Sequence, residues 1–384
     1  MRGYRLTATG LGILLLLVAA CSSTDDSGSS GGSSSAPSLA APATVSEGGS
    51  AHIAAVGDMV CSHGPSQGAN PKSNDRRIIR GFCQHRKVSN LVLDGNYDKF
   101  LALGDLQYLL GHYENYVKFY DPTFGRVKDI TMPVIGNHET YVPYAADYLK
   151  YFGRRAHPPL GYYSYDLGSW HVVAINSTLC KDHTWSPRLG WTPMTQPNNK
   201  WGCRPGDPQY QWLQQDLESH PVACTLAYFH HPAYFWVGYA GGSKLITHHG
   251  YTTTRPLYRL LYEKGVDVVL TGHEHFYERF KPMDPAGNLD PAHGFTEFIV
   301  GTGGDTLQQM PDQTKDPLPD QVAVANNSAF GILDMSLNPD GYDFEFVPVE
   351  GNPGRWVMSE KLGYKIFENS ATTGEVDSGS GQCH

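Results

Sequence analysis

The sequence has little positive charge for its size. Among its 384 residues, 29 are lysine or arginine and 38 are aspartate or glutamate, which gives a formal net charge of −9. Proteins that bind DNA or RNA through their surface carry a basic patch, and this composition does not support one. We therefore expect no nucleic-acid-binding face, and nothing in the sequence indicates a protein partner.

The sequence also lacks an apolar run long enough for a membrane-spanning helix. The apolar stretch Leu11–Ala20 has ten residues, whereas a spanning helix needs roughly 20. Arg2 and Arg5 precede it. A basic start followed by a short apolar run is typical of a secretory signal peptide.

The residues after this stretch predict how the chain is anchored. Val18-Ala19-Ala20-Cys21 resembles a bacterial lipobox, which makes Cys21 the lipidated first residue of the mature protein. We predict a lipoprotein signal peptide at 1–21 and a Ser/Gly-rich tether at 22–50, which is flexible by composition. The protein would be exported from a bacterial cell, and either held at the membrane or cell surface by the lipid on Cys21 or released. Ordinary signal cleavage, with Cys21 incidental, is the alternative.

Cysteine is sparse, with seven residues in the chain. Without Cys21 six remain, and an even number in an exported chain favours disulfides. The predicted pairs are Cys61–Cys83, Cys180–Cys203 and Cys224–Cys383. For the last of these pairs, the alternative is a buried free thiol at Cys224.

Residues 51–384 contain no second linker and no internal repeat, which predicts one domain. Apolar or β-branched runs alternate with helical segments, and this alternation predicts a layered α/β domain. The predicted strands are His52–Gly57, Phe100–Gly104, Ile130–Ile135, Thr225–Phe229 and Asp267–Thr271. The predicted helices are Tyr113–Phe119, Pro143–Phe152, Pro208–Glu218 and Arg255–Glu263. The predicted hairpins are Tyr162–Asp166 with His171–Ile175, and Ile332–Leu337 with Tyr342–Val347.

Potential metal ligands directly follow all five of these strands. Carboxylate, amide and imidazole groups suit iron, zinc or manganese, and a glycine before the ligand allows a sharp turn and close backbone approach. Each motif alone is weak, because Gly-Asp at a strand end is common in turns, but five in succession predict a metal site. The motifs are Gly57-Asp58, Gly104-Asp105-Leu106-Gln107-Tyr108, Gly136-Asn137-His138-Glu139, His230-His231-Pro232 and Gly272-His273-Glu274-His275.

These motifs resemble those of the calcineurin-like metallophosphoesterases and, among them, the purple acid phosphatases, over about residues 51–350. Residues 104–108 are similar to the family's GDxxY, 136–139 to GNHE, and 272–279 to the GHxHxYER run of the purple group. The resemblance implies a four-layer α/β/β/α sandwich with mixed sheets, a catalytic domain at 51–384 of the compact bacterial type, and two bound metal ions. Metal 1 would take Asp58, Asp105, Tyr108 and His275, and metal 2 would take Asp105, Asn137, His230 and His273.

One position points to the purple subgroup. Most of the superfamily supplies metal 1 with a histidine two residues after the first aspartate, but this chain has Val60 there. Tyr108 would replace it, and a phenolate favours Fe³⁺, so the resemblance implies Fe³⁺ at the tyrosine site and Fe²⁺, Zn²⁺ or Mn²⁺ at the second. A packed core tyrosine is the alternative for Tyr108. The usual GDxG continuation is also missing, since the chain reads Gly57-Asp58-Met59-Val60.

The resemblance further implies that a metal-bound hydroxide hydrolyses phosphate esters. His138 would sit beside the substrate and stabilise or protonate the leaving oxygen, and His231 either shares this role or is structural. Glu139 and Glu274 either orient imidazoles or are solvated loop charges. Aromatic and histidine residues after His231 either line the pocket rim or pack in the core; they are Tyr234, Phe235, Trp236, Tyr239, His248 and His249.

The predicted function is therefore that of a secreted acid phosphatase, a phosphomonoesterase that takes small phosphate esters and scavenges phosphate. The alternative on the same metal core is a phosphodiesterase or nucleotide phosphohydrolase. A lipid-anchored binding protein on an inactive scaffold is a third hypothesis, and it would require missing ligands. The chain contains neither a Walker A loop nor a G-x-S-x-G nucleophile motif.

Overall fold

Two mixed β-sheets form the centre of the domain in the computed structural model. The structure describes residues 49–61, 83–180, 183–186, 190–193, 202–236, 252–308, 310, 313, 317–350, 355–359, 364–368 and 376–384. The strands, in chain order, are β1 Ala51–Val56, β2 Lys99–Ala102, β3 Thr131–Pro133, β4 Tyr163–Leu167, β5 Trp170–Ala174, β6 His183–Ser186, β7 Gly190–Pro193, β8 Cys224–Tyr228, β9 Val268–Thr271, β10 Tyr277–Phe280, β11 Thr296–Val300, β12 Val322–Asn326, β13 Gly331–Asn338, β14 Gly341–Pro348, β15 Arg355–Ser359, β16 Tyr364–Glu368 and β17 Ser378–Gln382. The helices are α1 His85–Asp94, α2 Tyr113–Asn115, α3 Ala146–Phe152, α4 Pro208–Ser219 and α5 Arg255–Glu263.

Each of the two large sheets combines parallel and antiparallel strands. The first has the order β17-β14-β13-β1-β2-β3, in which β1, β2 and β3 run parallel. The second has the order β12-β10-β11-β9-β8-β5-β4, in which β5, β8, β9 and β11 run parallel. The strands β6–β7 and β15–β16 form separate two-stranded ribbons. The α/β class with mixed sheets is confirmed.

Alternate residues along the second sheet face two different cores. Val172 and Leu226 belong to the core that the two sheets share, whereas their neighbours Val173 and Ala227 belong to the core that includes residues of α4 and α5. This follows from the two-residue repeat of a β-strand. Helix α1 packs on β13 of the first sheet. The succession of helix, sheet, sheet and helix is the four-layer arrangement that the resemblance implied.

Three disulfides hold the loops and the C-terminal strand to this frame. All three predicted pairs form: Cys61–Cys83, Cys180–Cys203 and Cys224–Cys383. The alternative of a free thiol at Cys224 is therefore wrong. The first disulfide ties the loop after β1 to the start of α1, and the third ties β8 to the end of the chain.

Two predicted helices are irregular. The segment Pro143–Phe152 is a 3-10 turn over Pro143–Ala145 followed by the helix Ala146–Phe152, and the φ values of 59° and 52° at Tyr144 and Ala145 break the helical path. The segment after Tyr113 is α-helical for one turn and then π-helical over Tyr116–Tyr120. The two predicted hairpins are present as β4–β5 and β13–β14. Helix α1 and strands β6, β7, β10, β11, β12, β15, β16 and β17 were not predicted.

The predicted signal peptide and most of the predicted tether lie outside the described residues, and so do Tyr239, His248 and His249. Within the described part of the chain, no helix is both long and apolar enough to span a bilayer.

Candidate metal centre

All seven predicted metal ligands lie just beyond the carboxyl ends of parallel strands, where loops of an α/β domain build ligand sites. Three of the strands belong to the first sheet and two to the second. Asp58 follows β1, Asp105 and Tyr108 follow β2, Asn137 follows β3, His230 follows β8, and His273 and His275 follow β9.

Four of these side chains converge around the Tyr108 hydroxyl. This oxygen lies 2.7 Å from Asp58 Oδ1, 3.1 Å from Asp105 Oδ2 and 2.8 Å from His275 Nε2. His275 Nε2 is also 3.4 Å from Asp58 Oδ1. Tyr108 therefore points its hydroxyl into the polar cluster, and the four residues are those predicted to share metal 1.

The other group converges on His230. Its Nε2 lies 3.2 Å from Asn137 Oδ1, 3.2 Å from Asp105 Oδ2 and 3.1 Å from His273 Nδ1. These four residues are the set predicted for metal 2. One oxygen, Asp105 Oδ2, belongs to both groups, which is the position that a bridging carboxylate requires.

The backbone at the ligand positions is strained. Asp58, Asp105 and His273 have φ values of 59°, 50° and 73°, a region that residues with a Cβ atom rarely adopt and that is concentrated at functional sites. Gly104 has a φ of 84°, and a Cβ atom there would lie 2.6 Å from His230 Nδ1. The glycine before Asp105 is thus required both by its conformation and by the closeness of His230.

Backbone carbonyl groups fix the orientation of two imidazoles. His230 Nδ1 lies 2.8 Å from the carbonyl of Leu103, and His275 Nδ1 lies 2.7 Å from the carbonyl of Thr306. A proton on Nδ1 makes these hydrogen bonds and leaves the Nε2 lone pair directed at the centre. This arrangement is typical of metal-binding histidines.

The buried carboxylates of the centre require positive charge close to them. Asp58 and Asp105 are almost completely buried. Burial alone would raise the pKa of Asp105, but His230 and His138 outweigh it and hold that pKa below its ordinary value. Burial lowers the pKa of His230 and of His275, yet Asp105 and Asp58 respectively outweigh it and raise these pKa values to about 9 and about 10. In the absence of metal the carboxylates therefore keep protons on the imidazoles, and metal cations would replace those protons.

The donor set fits two metal ions of the iron, zinc or manganese class, because it offers carboxylate, imidazole and amide groups. Tyr108 sets a further condition. Its pKa is raised well above the ordinary value by burial and by the charges of Asp105 and Asp58. It stays a phenol unless a highly charged cation displaces the proton, which favours a trivalent ion at the first group.

Glu139 connects the ligand loops to one another. Its two oxygens accept hydrogen bonds from the N–H groups of Asp105, Leu106 and Gly136 at 2.9, 2.9 and 2.8 Å, and from the Tyr116 hydroxyl at 2.9 Å. The side chain is completely buried. Both sequence-based interpretations of Glu139 are therefore wrong: it is not a solvated charge, and its hydrogen bonds go to loop backbone and a phenol instead of an imidazole.

Glu274 differs from Glu139 because it lies beside an imidazole. Glu274 Oε1 is 4.0 Å from His273 Nε2, and the residue is buried. The alternative that Glu274 is a solvated loop charge is wrong. The Glu274 carboxylate is close enough to act electrostatically on the His273 imidazole.

The two predicted catalytic histidines border the centre from different sides. His138 Nδ1 lies 2.7 Å from the Leu109 carbonyl, and its Nε2 is 3.7 Å from Asp105 Oδ2. Its ring packs against Tyr108 and Tyr141, with centroid distances of 4.2 and 4.8 Å. The Nε2 atom is thus directed at the shared carboxylate.

His231 is completely buried and its Nδ1 lies 2.9 Å from Ser177 Oγ. Its ring centroid is 4.8 Å from those of both His230 and His273. His231 therefore packs against the imidazoles of the second group.

The aromatic residues after His231 do not form a rim where they are described. Tyr234, Phe235 and Trp236 are buried in the core that includes residues of α5. The packing interpretation is correct for these three.

This fold and this centre define the class of protein. The family of calcineurin-like phosphoesterases matches residues 51–277, which include all seven predicted ligands. The chain belongs to that family, and its resemblance to purple acid phosphatases is confirmed.

Several curated relatives are purple acid phosphatases of Arabidopsis thaliana. The chain is 28% identical to purple acid phosphatase 18 over 259 residues, and this alignment covers 63% of this chain and 51% of the relative. It is 27% identical to purple acid phosphatase 22 over 256 residues, and this alignment covers 62% of this chain and 50% of the relative. The chain thus spans about half the length of these relatives.

Solved structures support the fold. Purple acid phosphatase PPD1 from yellow lupin (Lupinus luteus) seeds superposes with a TM-score of 0.53 at 17% identity, over 79% of this chain and 52% of the lupin chain. GAP50, the anchor in the inner membrane complex of Plasmodium, superposes with a TM-score of 0.50 at 13% identity, over 84% and 89%.

Proposed function

We propose that the chain is a binuclear metal-dependent phosphoesterase that hydrolyses phosphomonoesters as an acid phosphatase. The observation that carries this proposal is the shared oxygen of Asp105, which lies 3.1 Å from Tyr108 Oη and 3.2 Å from His230 Nε2. A single carboxylate between two complete donor groups fits two adjacent cations. The names of the relatives support a phosphatase reaction.

The first cation would be held by Asp58, Asp105, Tyr108 and His275, with Fe³⁺ favoured by the phenol. The second, Fe²⁺, Zn²⁺ or Mn²⁺, would be held by Asp105, Asn137, His230 and His273. When bound, such a pair of cations supplies Lewis-acid stabilisation of the charge that develops on the phosphoryl group and activates water.

The residues of the chain have separate tasks in this proposal. In its doubly protonated form, His138 donates a proton from Nε2 to the leaving oxygen, because the Leu109 carbonyl accepts the hydrogen bond from Nδ1 and aims Nε2 at the centre. Glu139 fixes the loops of Asp105 and Gly136, and so sets the distance between the two donor groups. His231 supports the second group by packing on His230 and His273.

We further propose export, anchoring through the lipid on Cys21 and a role in scavenging phosphate. Three disulfides support an oxidising compartment outside the cytosol. Thiol counting and cell fractionation test this part, and a cytosolic protein with titratable thiols would contradict it.

The test of the reaction compares two variants with matched controls. Asp105→Asn should affect both metals and His230→Ala should release the second, so both variants should lose hydrolysis of p-nitrophenyl phosphate while they keep the far-ultraviolet circular dichroism of the wild type. Asp129→Asn and His293→Ala change exposed side chains and should retain activity and bound metal. Wild-type turnover with unchanged metal in either site variant would overturn the assignment, and faster hydrolysis of bis(p-nitrophenyl) phosphate would favour a diesterase.

A further inference from the structure

Tyr141 lies in the short turn that follows the predicted ligand Asn137. The Thr140 N–H donates a hydrogen bond to the Asn137 carbonyl at 3.1 Å, and the Thr140 hydroxyl donates to the same carbonyl at 2.7 Å. The Tyr141 N–H donates to the His138 carbonyl at 3.4 Å. Each of these bonds joins residues three positions apart, so the chain turns back and brings Tyr141 close to Asn137 and His138.

The ring of Tyr141 packs against the imidazole of His138. The two ring centroids are 4.8 Å apart, with an interplanar angle of 60°. The ring of Tyr108 also contacts this imidazole, with a centroid distance of 4.2 Å. Tyr108 is buried and is itself a predicted ligand, whereas Tyr141 is half-buried. The contact with Tyr141 can therefore be removed without a change to any metal ligand.

The hydroxyl of Tyr141 interacts with two predicted ligands. Burial and the charge of Asp105 raise the pKa of Tyr141, and the side chain of Asn137 opposes this shift as a hydrogen-bond donor. An amide donates only from its NH₂ group, so that end of Asn137 faces the phenol. The other end, Oδ1, lies 3.2 Å from His230 Nε2, where the second donor group converges. The phenol thus supports the amide orientation that a cation requires.

We propose that Tyr141 is a positioning residue of the phosphatase reaction, which keeps the oxygen of Asn137 towards the second cation and Nε2 of His138 towards the leaving oxygen. This inference rests on the proposed function. The hydroxyl carries out the first task and the ring carries out the second, so two substitutions separate them. Tyr141 itself neither binds a cation nor transfers a proton.

Tyr141→Phe tests the hydroxyl, because it keeps the ring and removes one oxygen atom. Loss of a group that orients a metal ligand typically costs about 10–100-fold in metal affinity. In a Zn²⁺ titration of protein that carries one Fe³⁺ per chain, we expect the Kd for Zn²⁺ to rise by about tenfold or more. The iron content and the phenolate-to-iron band should stay those of the wild type, because Tyr108 is unchanged.

Tyr141→Leu tests the ring, through the proton that His138 donates. An alkoxide leaving group needs this proton, whereas p-nitrophenolate leaves readily without it, and general acid catalysis contributes about 10²–10⁴-fold to a rate. At saturating Zn²⁺, we expect kcat/KM for glycerol 2-phosphate to fall at least about tenfold more than kcat/KM for p-nitrophenyl phosphate. Tyr141→Phe should keep the wild-type ratio of the two rates. A role in folding alone would lower both rates equally.

Tyr144 provides the matched controls, since it lies three positions further along the chain and its side chain is exposed. Tyr144→Phe and Tyr144→Leu should keep the wild-type Zn²⁺ affinity and the wild-type ratio of the two rates. Wild-type Zn²⁺ affinity in Tyr141→Phe, or an unchanged ratio of rates in Tyr141→Leu, would overturn the proposal. Failure of the proposed function would instead appear as a wild type without hydrolysis, or as hydrolysis that survives Asp105→Asn.

Discussion

Replacing Glu139 by glutamine tests whether this residue holds the metal-binding loops together. The substitution preserves side-chain size and removes the charge. It also turns one of the two acceptor oxygens into an NH₂ donor. Glu139 has donors on both sides, so no orientation of the glutamine amide can keep all four hydrogen bonds.

The cost can be worked from these contacts. The better orientation keeps the amide oxygen towards the N–H groups of Asp105 and Gly136. The NH₂ then faces the Leu106 N–H, which loses its acceptor, while the Tyr116 hydroxyl can turn and accept. One buried donor without an acceptor costs about 1–3 kcal/mol, and the remaining hydrogen bonds lose the extra strength of a charged acceptor. These losses amount to about 2–4 kcal/mol. The substitution also removes a buried charge whose pKa is raised to about 7, which returns up to about 3 kcal/mol at pH 8. Because the two effects oppose each other, we expect the free energy of unfolding at pH 8 to change by less than about 2 kcal/mol.

Urea denaturation of the metal-free protein at pH 8 is the appropriate assay. Burial and the charge of Asp105 raise the pKa of Glu139 to about 7, although N–H and hydroxyl donors oppose the shift. At pH 8 the wild-type side chain is therefore mostly ionised. Tyr116→Phe is the matched control, because it removes one donor and leaves the three backbone hydrogen bonds.

Metal binding provides the second readout. Since Glu139 fixes the loops of Asp105 and Gly136, its glutamine variant should bind metal more weakly, and Tyr116→Phe should do so to a smaller extent. A Glu139→Gln variant with the metal content of the wild type would refute the reasoning.

Three further predictions concern other parts of the molecule. Iron-loaded wild type should show a visible phenolate-to-iron band that Tyr108→Phe abolishes; a visible spectrum checks this, and a band that persists in the variant would exclude Tyr108 as a ligand. Burial raises the pKa of Glu297 to about 8, so the folded state holds a proton that the unfolded chain releases above about pH 4.5. The stability that Glu297 contributes is thus lost as the pH rises from about 4.5 to 8, and Glu297→Gln should stabilise the protein by up to about 4 kcal/mol at pH 8 and by little at pH 4.5; equal gains at both pH values in denaturation experiments would contradict this. Replacing Cys224 and Cys383 by serine opens a loop with a sequence separation of 159 and should lower the free energy of unfolding by up to about 5 kcal/mol, which an unchanged urea midpoint would disprove.

The convergence of the seven predicted ligands could be anticipated from sequence because each of them follows a local pattern. A short apolar strand, a glycine and a polar residue specify a turn at a strand end, as at Gly104-Asp105. Parallel strands end at the same edge of a sheet, so these local turns meet in space without any further information. A local pattern also sufficed for helix α5, which was predicted with its bounds Arg255–Glu263.

The role of Glu139 could not be predicted from the sequence in this way. Its partners Asp105 and Leu106 are more than 30 positions away in sequence, and no local pattern shows that their N–H groups need an acceptor. The contact between His171 and Asp216 could not be predicted for the same reason, because β5 and α4 come together only in the folded domain. Tyr144 and Ala145 broke a predicted helix because the tertiary path overrides their ordinary backbone preference.

The strained backbone and the buried charges of the candidate metal centre both cost free energy on folding. Asp58, Asp105 and His273 adopt positive φ values, and each such residue costs on the order of 1–3 kcal/mol. Asp58 and Asp105 are also buried, which is unfavourable for a carboxylate without a compensating cation. In the metal-free protein, protons on His230 and His275 are the nearest compensation. Bound metals would provide stronger compensation, so the centre should make folding and metal binding mutually dependent through the same residues that carry the chemistry.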